Sequence, residues 1–288
     1  MKAYFQGKGQ NFGDTINYLV FSKIFNQNVN LSKFYDADYF LIGSILDKAF
    51  YMPFNRKTFR QNVKKKYFSI IFKNKPIKIL GSGFIEEINL SSKNYKSFRE
   101  IKPIVLRGKK TLKILEKNKI KIENNVTLGD PGILVEDLID SKNFKKKYEI
   151  GIIPHYVDQS SKLLNYFLEK QNIKIINIKS EPYQFLKEVS QCRTIISSSL
   201  HGLITADSLG IPNKWIKLSN NIFGNDFKFY DYYSNYDVFL EPFNVNSQNI
   251  KKVDFDFISH DYKIDKNSID VMKKNIKNSI NITLKCHK

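Results

Sequence analysis

The sequence has few of the residues that cross-link small secreted proteins or hold structural metals. Only two cysteines, Cys192 and Cys286, occur among 288 residues, and they lie far apart. Neither a C-x-x-C pair nor an H-E-x-x-H motif is present. We therefore predict no disulfide framework, no metal site and no bound cofactor. Isolated cysteines are typical of a reducing compartment.

Long apolar runs are also absent. No run of about 18 or more apolar residues occurs, which predicts that no segment spans a membrane. The first seven residues, Met1 to Gly7, are too few and too polar for a signal peptide. We expect a cytoplasmic protein.

Acidic residues are fewer than basic ones. The chain has 28 Asp and Glu residues against 47 Lys and Arg residues, which gives a formal net charge of +19. This charge would attract nucleic acid, an anionic membrane surface or an anionic small substrate. No aromatic-interleaved basic motif of the nucleic-acid-binding modules occurs, so we expect no nucleic-acid partner. A lysine-rich composition is equally typical of a biased genome.

What the chain does contain is a regular alternation of strand and helix patterns. Helices are predicted from about Thr15, over Lys109–Lys117, Gln159–Gln171 and Tyr183–Ser190, after Leu200, and from about Asn267 onwards. Buried strands are predicted at Lys2–Phe5, Tyr39–Ile42, Ile77–Leu80, Ile104–Leu106, Ile150–Ile153, Ile173–Ile178, Thr194–Ile196 and Trp215–Leu218. This alternation predicts an α/β fold with two Rossmann-like units.

A polar, lysine-rich segment near residue 145 marks the predicted boundary between domains 1–145 and 146–288. The last helix carries Ile269, Met272, Ile276 and Ile280 at helical spacing, with lysines on its other face. We expect this helix to pack back across the boundary onto the first domain. The alternative is a basic amphipathic helix that lies on a membrane surface.

The most informative stretch runs from Thr194 to Pro212 and reads as a strand, a polar turn and a helix. In a parallel sheet the carboxyl end of a strand and the amino end of the next helix form an anion site. Hydroxyl donors and an imidazole add to it. The alternative is a serine that only caps the helix, followed by a surface histidine. The residues of this candidate anion site are Ser197, Ser198, Ser199, Leu200, His201 and Gly202.

Other polar residues follow predicted strands. Arg107 and His155 each come after a strand, and Asp14 stands before the first helix, where an ordinary N-cap is the alternative. Asp130 lies in Gly129-Asp130-Pro131-Gly132, where a structural turn is the favoured role.

Several motifs occur together in one order along the chain. They are Asn11-Phe12-Gly13-Asp14, Leu80-Gly81-Ser82-Gly83-Phe84, Leu106-Arg107-Gly108-Lys109-Lys110-Thr111, Gly129-Asp130-Pro131-Gly132, the stretch from Gly151 to Asp158, the stretch from Ser197 to Pro212, and the aromatic segment Phe227–Tyr233. In this order the chain resembles the polysaccharide pyruvyl transferase family. The resemblance covers about residues 11 to 234.

The resemblance implies a fold like that of GT-B glycosyltransferases, with two Rossmann-like domains facing a cleft. It implies transfer of a pyruvyl group from the co-substrate phosphoenolpyruvate to a sugar of a surface polysaccharide, such as a capsule or lipopolysaccharide, giving a pyruvate ketal. The acceptor would be a saccharide, alternatively its lipid-diphosphate-linked precursor, which would bring the enzyme to the anionic inner membrane face.

The resemblance also assigns residues. Arg107 matches a donor-binding arginine, and Leu200-His201 match the end of an Arg-Leu-His triplet whose arginine is Ser199 here. Phosphoenolpyruvate carries two anionic groups, so Arg107, Ser197, Ser198, Ser199, Leu200 and Gly202 are assigned to its binding. Ketal formation needs an acid and a base, for which we select His201, Asp14 and His155. Asn11, Gly13 and Lys228 are assigned to the acceptor, and Lys228 is an alternative source of the missing cation.

Two other functions stay open at this point. A GT-B-type glycosyltransferase would keep the fold and use a nucleotide sugar as donor. A non-enzymatic protein that binds an anionic membrane or nucleic acid would account for the charge alone.

Overall fold

The structure is a computed structural model that describes residues 1–7, 11–51, 56–72, 75–88, 96–141, 144–168, 170–236 and 238–285. Cys286 and residues 8–10 of the predicted glycine-containing loop therefore lie outside the described residues. Of the two cysteines, Cys192 is described, and it is buried as a free thiol.

The first half of the chain forms a parallel sheet whose strands are, among the described residues, arranged in the order β2-β1-β3-β4-β5-β6. The chain enters at β1, next to one edge, adds β2 at that edge, and then returns past β1 to build the other side. The strands are β1 (Lys2–Tyr4), β2 (Asn30–Leu31), β3 (Tyr39–Phe40), β4 (Ile77–Leu80), β5 (Ile101–Leu106) and β6 (Thr127–Leu128).

The second half forms another parallel sheet, with the described strands in the order β11-β10-β9-β7-β8. Most residues of its central strands β7 and β9 are buried, as expected for strands that are covered on both faces. The strands are β7 (Tyr148–Ile153), β8 (Ile173–Ile175), β9 (Cys192–Ser197), β10 (Asn213–Lys217) and β11 (Phe243–Asn244).

Helices connect and cover the strands. They are α1 (Phe12–Leu19), which continues as a π-helical turn over Val20–Ile24, α2 (Arg56–Ile71), α3 (Lys109–Lys117), α4 (Asn165–Leu168), α5 (Pro182–Ser190), α6 (Leu200–Ser208), α7 (Phe227–Tyr233), α8 (Phe255–Asp261) and α9 (Lys266–Lys285). Short 3-10 helices cover Leu46–Ala49, Pro131–Leu138, Lys162–Leu164 and Ile250–Lys252. The predicted α/β class with parallel sheets is confirmed.

Two helix predictions were wrong in extent. The helix predicted over Gln159–Gln171 is only the short 3-10 turn Lys162–Leu164 followed by α4. Serine and asparagine compete with the helix backbone for hydrogen bonds, and this segment contains Ser160, Ser161 and Asn165. The first helix begins at Phe12 rather than near Thr15, because Asn11 and not Asp14 caps it.

The largest apolar cluster joins the two halves of the chain. Phe12 of α1 packs on Phe185 of α5, with ring centroids 4.3 Å apart. The Phe12 N–H donates to the Ile178 carbonyl, beyond β8, at 2.7 Å. The amino end of α1 is thereby fixed against the second sheet, which brings the ends of both sheets to one place.

The last helix, α9, returns to the first sheet. Its apolar face is buried, and Ser279 makes a hydrogen bond of 2.6 Å with Thr127 of β6. Lys277 pairs with Asp137 at 2.6 Å. Because the apolar face of α9 is used inside the fold, it is not available for the alternative, a membrane surface. Among the described residues, no helix combines the length and the apolar character needed to cross a bilayer.

Candidate functional site

A cavity of about 470 Å³ opens where the carboxyl ends of strands from both sheets meet. The amino ends of α1 and α6 also line it. Free N–H groups in the first turn of a helix favour bound anions. In α1 the N–H groups of Phe12 and Asp14 already donate to Ile178 and Asn11. The predicted site residues among its lining are Asn11, Gly13, Asp14, Arg107, His155, Ser199, Leu200, His201 and Lys228.

His201 and Asp130 face each other at the floor of this cavity. His201 Nε2 lies 4.0 Å from Asp130 Oδ2, and both atoms are buried. Neither atom has a hydrogen-bond partner among the described residues. The other Asp130 oxygen accepts from the Gly132 N–H at 2.8 Å and caps the 3-10 helix that follows. Asp130 therefore has the expected turn role and, in addition, directs a carboxylate oxygen at the imidazole.

Burial and charge decide the protonation of this pair. Burial, Lys228 and Arg107 lower the pKa of His201 from 6.5 to about 3. Burial raises the pKa of Asp130 from 3.8 to about 6, although the Gly132 hydrogen bond and Arg107 oppose the shift. In the absence of a ligand the imidazole is thus neutral at physiological pH, and the buried carboxyl titrates just below it.

The imidazole reaches this position because of Gly13. A Cβ atom built on Gly13 would lie 2.2 Å from His201 Nδ1, far inside any real contact distance. The glycine of the Asn11-Phe12-Gly13-Asp14 motif is therefore needed for the close approach of α1 to the histidine of α6.

The start of α1 also positions Asp14. Asn11 Oδ1 accepts from the Asp14 backbone N–H at 3.2 Å, and Asn11 Nδ2 donates to Asp14 Oδ2 at 3.2 Å. The alternative that Asp14 is the N-cap is wrong, because Asn11 holds that place. Asp14 stands in the first turn of α1 as a lining residue of the cavity.

The three serines after β9 differ in position. Ser197 Oγ donates to the Ile153 carbonyl at 2.8 Å, and Ser198 Oγ donates to Asp158 Oδ2 at 2.7 Å. Neither residue lines the cavity, and their hydroxyls instead join the ends of β7 and β9. Ser199 occupies the N-cap position of α6 without a side-chain capping bond, and it does line the cavity.

Gly202 is also set back from the cavity. A Cβ atom there would lie 2.4 Å from Ser197 Oγ and 3.0 Å from an Ile153 side-chain carbon. A glycine is needed at this position because α6 packs closely against β7. The structure therefore does not bring Gly202 to the surface of the cavity.

His155 and Lys228 form a second polar pair at the cavity. Lys228 Nζ lies 3.4 Å from His155 Nε2. Burial, Lys228 and His201 lower the pKa of His155 to about 3, and burial and Arg107 lower the pKa of Lys228 to about 8. No described carboxylate lies within ion-pair distance of Lys228. An anion placed beside this cation would relieve the repulsion that lowers both pKa values.

Arg107, in contrast, is already held by protein groups. Its Nε donates to Asp231 at 2.9 Å, while its two terminal nitrogens donate to Ser44 Oγ at 2.5 Å and to the Phe84 carbonyl at 2.6 Å. Asp231 lies on α7, so this buried pair ties the first sheet to an element of the second half. Thr111 donates to the same carboxylate from its N–H and its hydroxyl.

Sequence reasoning missed the roles of two aspartates. Asp130 was interpreted only as a turn residue, and Asp231 was part of an aromatic segment with no role assigned. Asp130 follows the end of a strand, a position that could have indicated a cleft residue. Asp231 carries no such signal, because its partner Arg107 lies 124 residues away.

Lowering the pH from 7 to 5 should reduce the free energy of unfolding partly through His155. Its folded-state pKa of about 3 lies below its ordinary value of 6.5. The unfolded state therefore binds more protons, and stability falls as the pH is lowered through this range. In urea unfolding, a His155→Gln variant should lose about 2 kcal/mol less than the wild type over this interval.

The control for this prediction is His260→Gln, at an exposed position, which should keep the wild-type dependence. Burial also raises the pKa values of Asp130 and Asp207 to about 6, so these two carboxyls stabilise the folded state as the pH is lowered. This opposite contribution is the same in the wild type, His155→Gln and His260→Gln. Equal losses in the wild type and His155→Gln would contradict the prediction.

Comparison with known proteins gives consistent results. The profile of the family described as polysaccharide pyruvyl transferase matches residues 9–220. An uncharacterised protein of Acanthamoeba polyphaga mimivirus is 42% identical over 165 residues, 56% of this chain and 55% of its relative. The succinoglycan biosynthesis protein ExoV of Rhizobium meliloti is 24% identical over 127 residues, 44% of this chain and 40% of ExoV.

This chain thus spans about half the length of the curated relatives it matches. Among solved structures, a functionally uncharacterised protein of Klebsiella pneumoniae has a TM-score of 0.43 and 12% sequence identity. That match covers 85% of this chain and 93% of the Klebsiella protein.

Proposed function

Because this chain belongs to the polysaccharide pyruvyl transferase family, we propose that it transfers a pyruvyl group from phosphoenolpyruvate to a saccharide, forming a pyruvate ketal. The observation that carries the proposal is the cavity, where a half-buried cation without a carboxylate partner among the described residues, a histidine–aspartate pair and two helix amino ends meet. A donor with two anionic groups and an acid-labile double bond fits that combination.

The donor anion belongs beside Lys228 in this proposal. Arg107 uses Nε and one N–H of each terminal nitrogen on protein groups, and its side chain is only 1% exposed, so little of its guanidinium is left for a ligand. Lys228 lacks such partners, and Ser199 at the start of α6 has its hydroxyl uncommitted among the described residues. We therefore move Lys228 from the acceptor to the donor side, where it replaces the family arginine that is Ser199 here. Arg107, paired with Asp231, shapes the wall of the cavity.

Binding of the donor would also prepare the acid. In the absence of a ligand, burial together with the cations Lys228 and Arg107 keeps the pKa of His201 near 3. A bound carboxylate and phosphate reverse the sign of the local charge and raise that pKa. Asp130, 4.0 Å away, stabilises the imidazolium and fixes its orientation. His201 would then be charged only when the donor is present.

The proposed transfer proceeds through one protonation and two additions of sugar hydroxyls. A proton moves from His201 to the methylene carbon of the donor, and the neighbouring carbon becomes electrophilic. A sugar hydroxyl adds to that carbon and loses its proton to a base, the carbon–oxygen bond to phosphate breaks, and a second hydroxyl closes the ketal with loss of its proton. Asp14 and His155 line the same cavity, and we assign them to the acceptor hydroxyls together with Asn11 and Gly13.

The arrangement of the two sheets completes the proposal. We assign residues 1–145 to the acceptor side and residues 146–288 to the donor side of a GT-B-like cleft. The acceptor is a surface polysaccharide or its lipid-diphosphate-linked precursor, so the enzyme would act in the cytoplasm at the inner membrane face. ExoV, named for succinoglycan biosynthesis, is consistent with a polysaccharide acceptor.

Donor specificity gives the direct test. Phosphoenolpyruvate at millimolar concentration should raise the melting temperature, whereas uridine and guanosine diphosphates should not. With a panel of glycoside acceptors, phosphate release should accompany a mass gain of one pyruvate ketal. Stabilisation by a nucleotide alone, with no phosphate release on any acceptor, would favour the nucleotide-sugar alternative and exclude the proposal.

Replacing Lys228 by Gln should raise the KM for phosphoenolpyruvate about 30-fold or more, because one charge-assisted contact with the donor is lost. The matched control is Lys110→Gln, an exposed lysine of α3, which should retain the wild-type KM. Lys228→Arg should recover part of the loss. A wild-type KM in Lys228→Gln would return Lys228 to the acceptor side.

A further inference from the structure

Helix α2 presents an apolar face to solvent. Val63, Tyr67, Ile70 and Ile71 are 51%, 61%, 70% and 53% exposed. Their spacing of three and four residues places them on one side of the helix. Large apolar residues exposed singly are ordinary, but a continuous stripe of them on one helix marks an interaction surface.

Positive charge flanks this stripe on both sides. Arg60, Lys64 and Lys66 are exposed, and none forms an ion pair with a described carboxylate. The helix contains no acidic residue at all over its sixteen positions Arg56–Ile71. An exposed apolar stripe with Lys64 and Lys66 beside it, and with Arg60 at its amino-terminal end, fits a helix that lies in the headgroup layer of an anionic bilayer.

The opposite face of α2 is held by the fold. Lys65 is buried and donates to the Phe50 carbonyl, and Phe68 stacks against Tyr35 with ring centroids 4.7 Å apart. Lys65 and Phe68 therefore hold the inward face of α2 on the fold, and the outward stripe is presented on a positioned helix.

We propose that the outward face of α2 docks the protein on an anionic lipid surface. The charges select this occupant. A second copy of the chain would bring the same unpaired cations against these, which repel one another. An anionic bilayer offers headgroups to Arg60, Lys64 and Lys66 and an acyl boundary to Val63, Tyr67 and Ile70.

The place of α2 in the chain connects this surface with the cavity. Asp47 and Lys48 line the cavity, and the Phe50 carbonyl that Lys65 binds follows only two residues later. A membrane contact at α2 therefore lies close along the chain to the cavity wall. Docking there would bring the site near an acceptor carried on a lipid, but the inference itself does not depend on which reaction the cavity performs.

The test is co-sedimentation of the full chain with vesicles. Binding to vesicles of phosphatidylcholine with one third phosphatidylglycerol is expected, with little binding to pure phosphatidylcholine. Raising the salt concentration should weaken it, because the electrostatic part is screened. Absence of binding to the anionic vesicles at low salt, or equal binding to both kinds of vesicle, would overturn the proposal.

Matched variants locate the surface. Val63→Ser with Ile70→Ser should lower the partition coefficient about tenfold. The control pair Val271→Ser with Ile282→Ser replaces the same residue types on α9, where they are 57% and 66% exposed, and should bind like the wild type. A triple Arg60→Gln, Lys64→Gln, Lys66→Gln variant should lose binding, whereas Lys113→Gln, Lys117→Gln, Lys121→Gln, at exposed positions, should not.

Two outcomes would transfer the surface to another role. Equal loss of vesicle binding in the α9 control pair would show that any exposed apolar residue suffices. The protein could instead form concentration-dependent dimers in the absence of vesicles. If the Val63→Ser, Ile70→Ser variant abolished those dimers, the face would be assigned to contact with a second copy of the chain. Phosphate release with a soluble acceptor should be unchanged in the α2 variants, so failure of docking and failure of the proposed reaction are separable.

Discussion

Replacing His201 by Gln is expected to lower kcat/KM about 1000-fold, within the range that general acid catalysis contributes. Glutamine keeps a polar side chain of similar length at the start of α6 but cannot carry the proton that the donor methylene needs. The donor should still stabilise the variant against heat, because Lys228 and the helix amino ends remain. The measurements are phosphate release and donor-dependent melting temperature, made on the same preparation.

The matched control is His260→Gln, whose histidine is exposed and lies outside the cavity. It should have wild-type kinetics. If His201→Gln keeps more than a tenth of the wild-type kcat/KM, another group is the acid, and Asp130 would be the next candidate. Loss of both donor binding and activity in His201→Gln would instead make His201 a binding residue.

Replacing Arg107 by Met is expected to lower the free energy of unfolding by about 3–5 kcal/mol, because it leaves a buried carboxylate without its cation. Asp231 is fully buried and has Arg107 Nε at 2.9 Å. Removal of both charges in Arg107→Met with Asp231→Leu should restore part of the loss, since no uncompensated charge remains. Urea unfolding of the wild type, Arg107→Met, Asp231→Leu and the double variant measures the coupling free energy of the pair in a double-mutant cycle.

An exposed ion pair of the same sheet provides the control. Lys102 and Glu123 lie 3.0 Å apart with side chains 39% and 45% exposed. Lys102→Met should cost no more than about 1 kcal/mol, the usual value for surface pairs. If Arg107→Met costs no more than this control, the pair is not a structural tie. Arg107 would then be free to act as the ligand contact that its motif implies.

The stretch around His201 shows how much sequence reasoning could reach. A β-branched run, three small polar residues and a helical pattern follow one another, and each is local, so strand, turn and helix could be predicted in place. The structure confirms β9 and α6 and brings His201, Ser199 and Leu200 to the cavity. Which of the serines face a ligand was not predictable, because Ser197 and Ser198 bond to residues about forty positions away.

Two helices illustrate where pattern alone left the outcome open or missed the element. The sequence of α9 has both an apolar face and lysines, so burial and membrane contact were both open. Its packing on β6 and on the turn after β6 shows that the apolar face of α9 is buried. The sequence of α2 gives no clear periodicity, because its inward face includes Lys65 and its outward face is partly apolar. The helix was missed, and its exposed stripe is visible only once the rest of the fold is in place.

The sequence by itself determined the α/β class, the family and nine of the residues that line the cavity, because parallel strands and their following turns are encoded within short segments. Only the tertiary structure decided that Arg107 is paired with Asp231, that Lys228 has no such partner in the described part of the chain and that Asp130 faces His201. These relations join residues up to 124 positions apart. The charge state of each group depends on burial and on neighbours that no local pattern specifies.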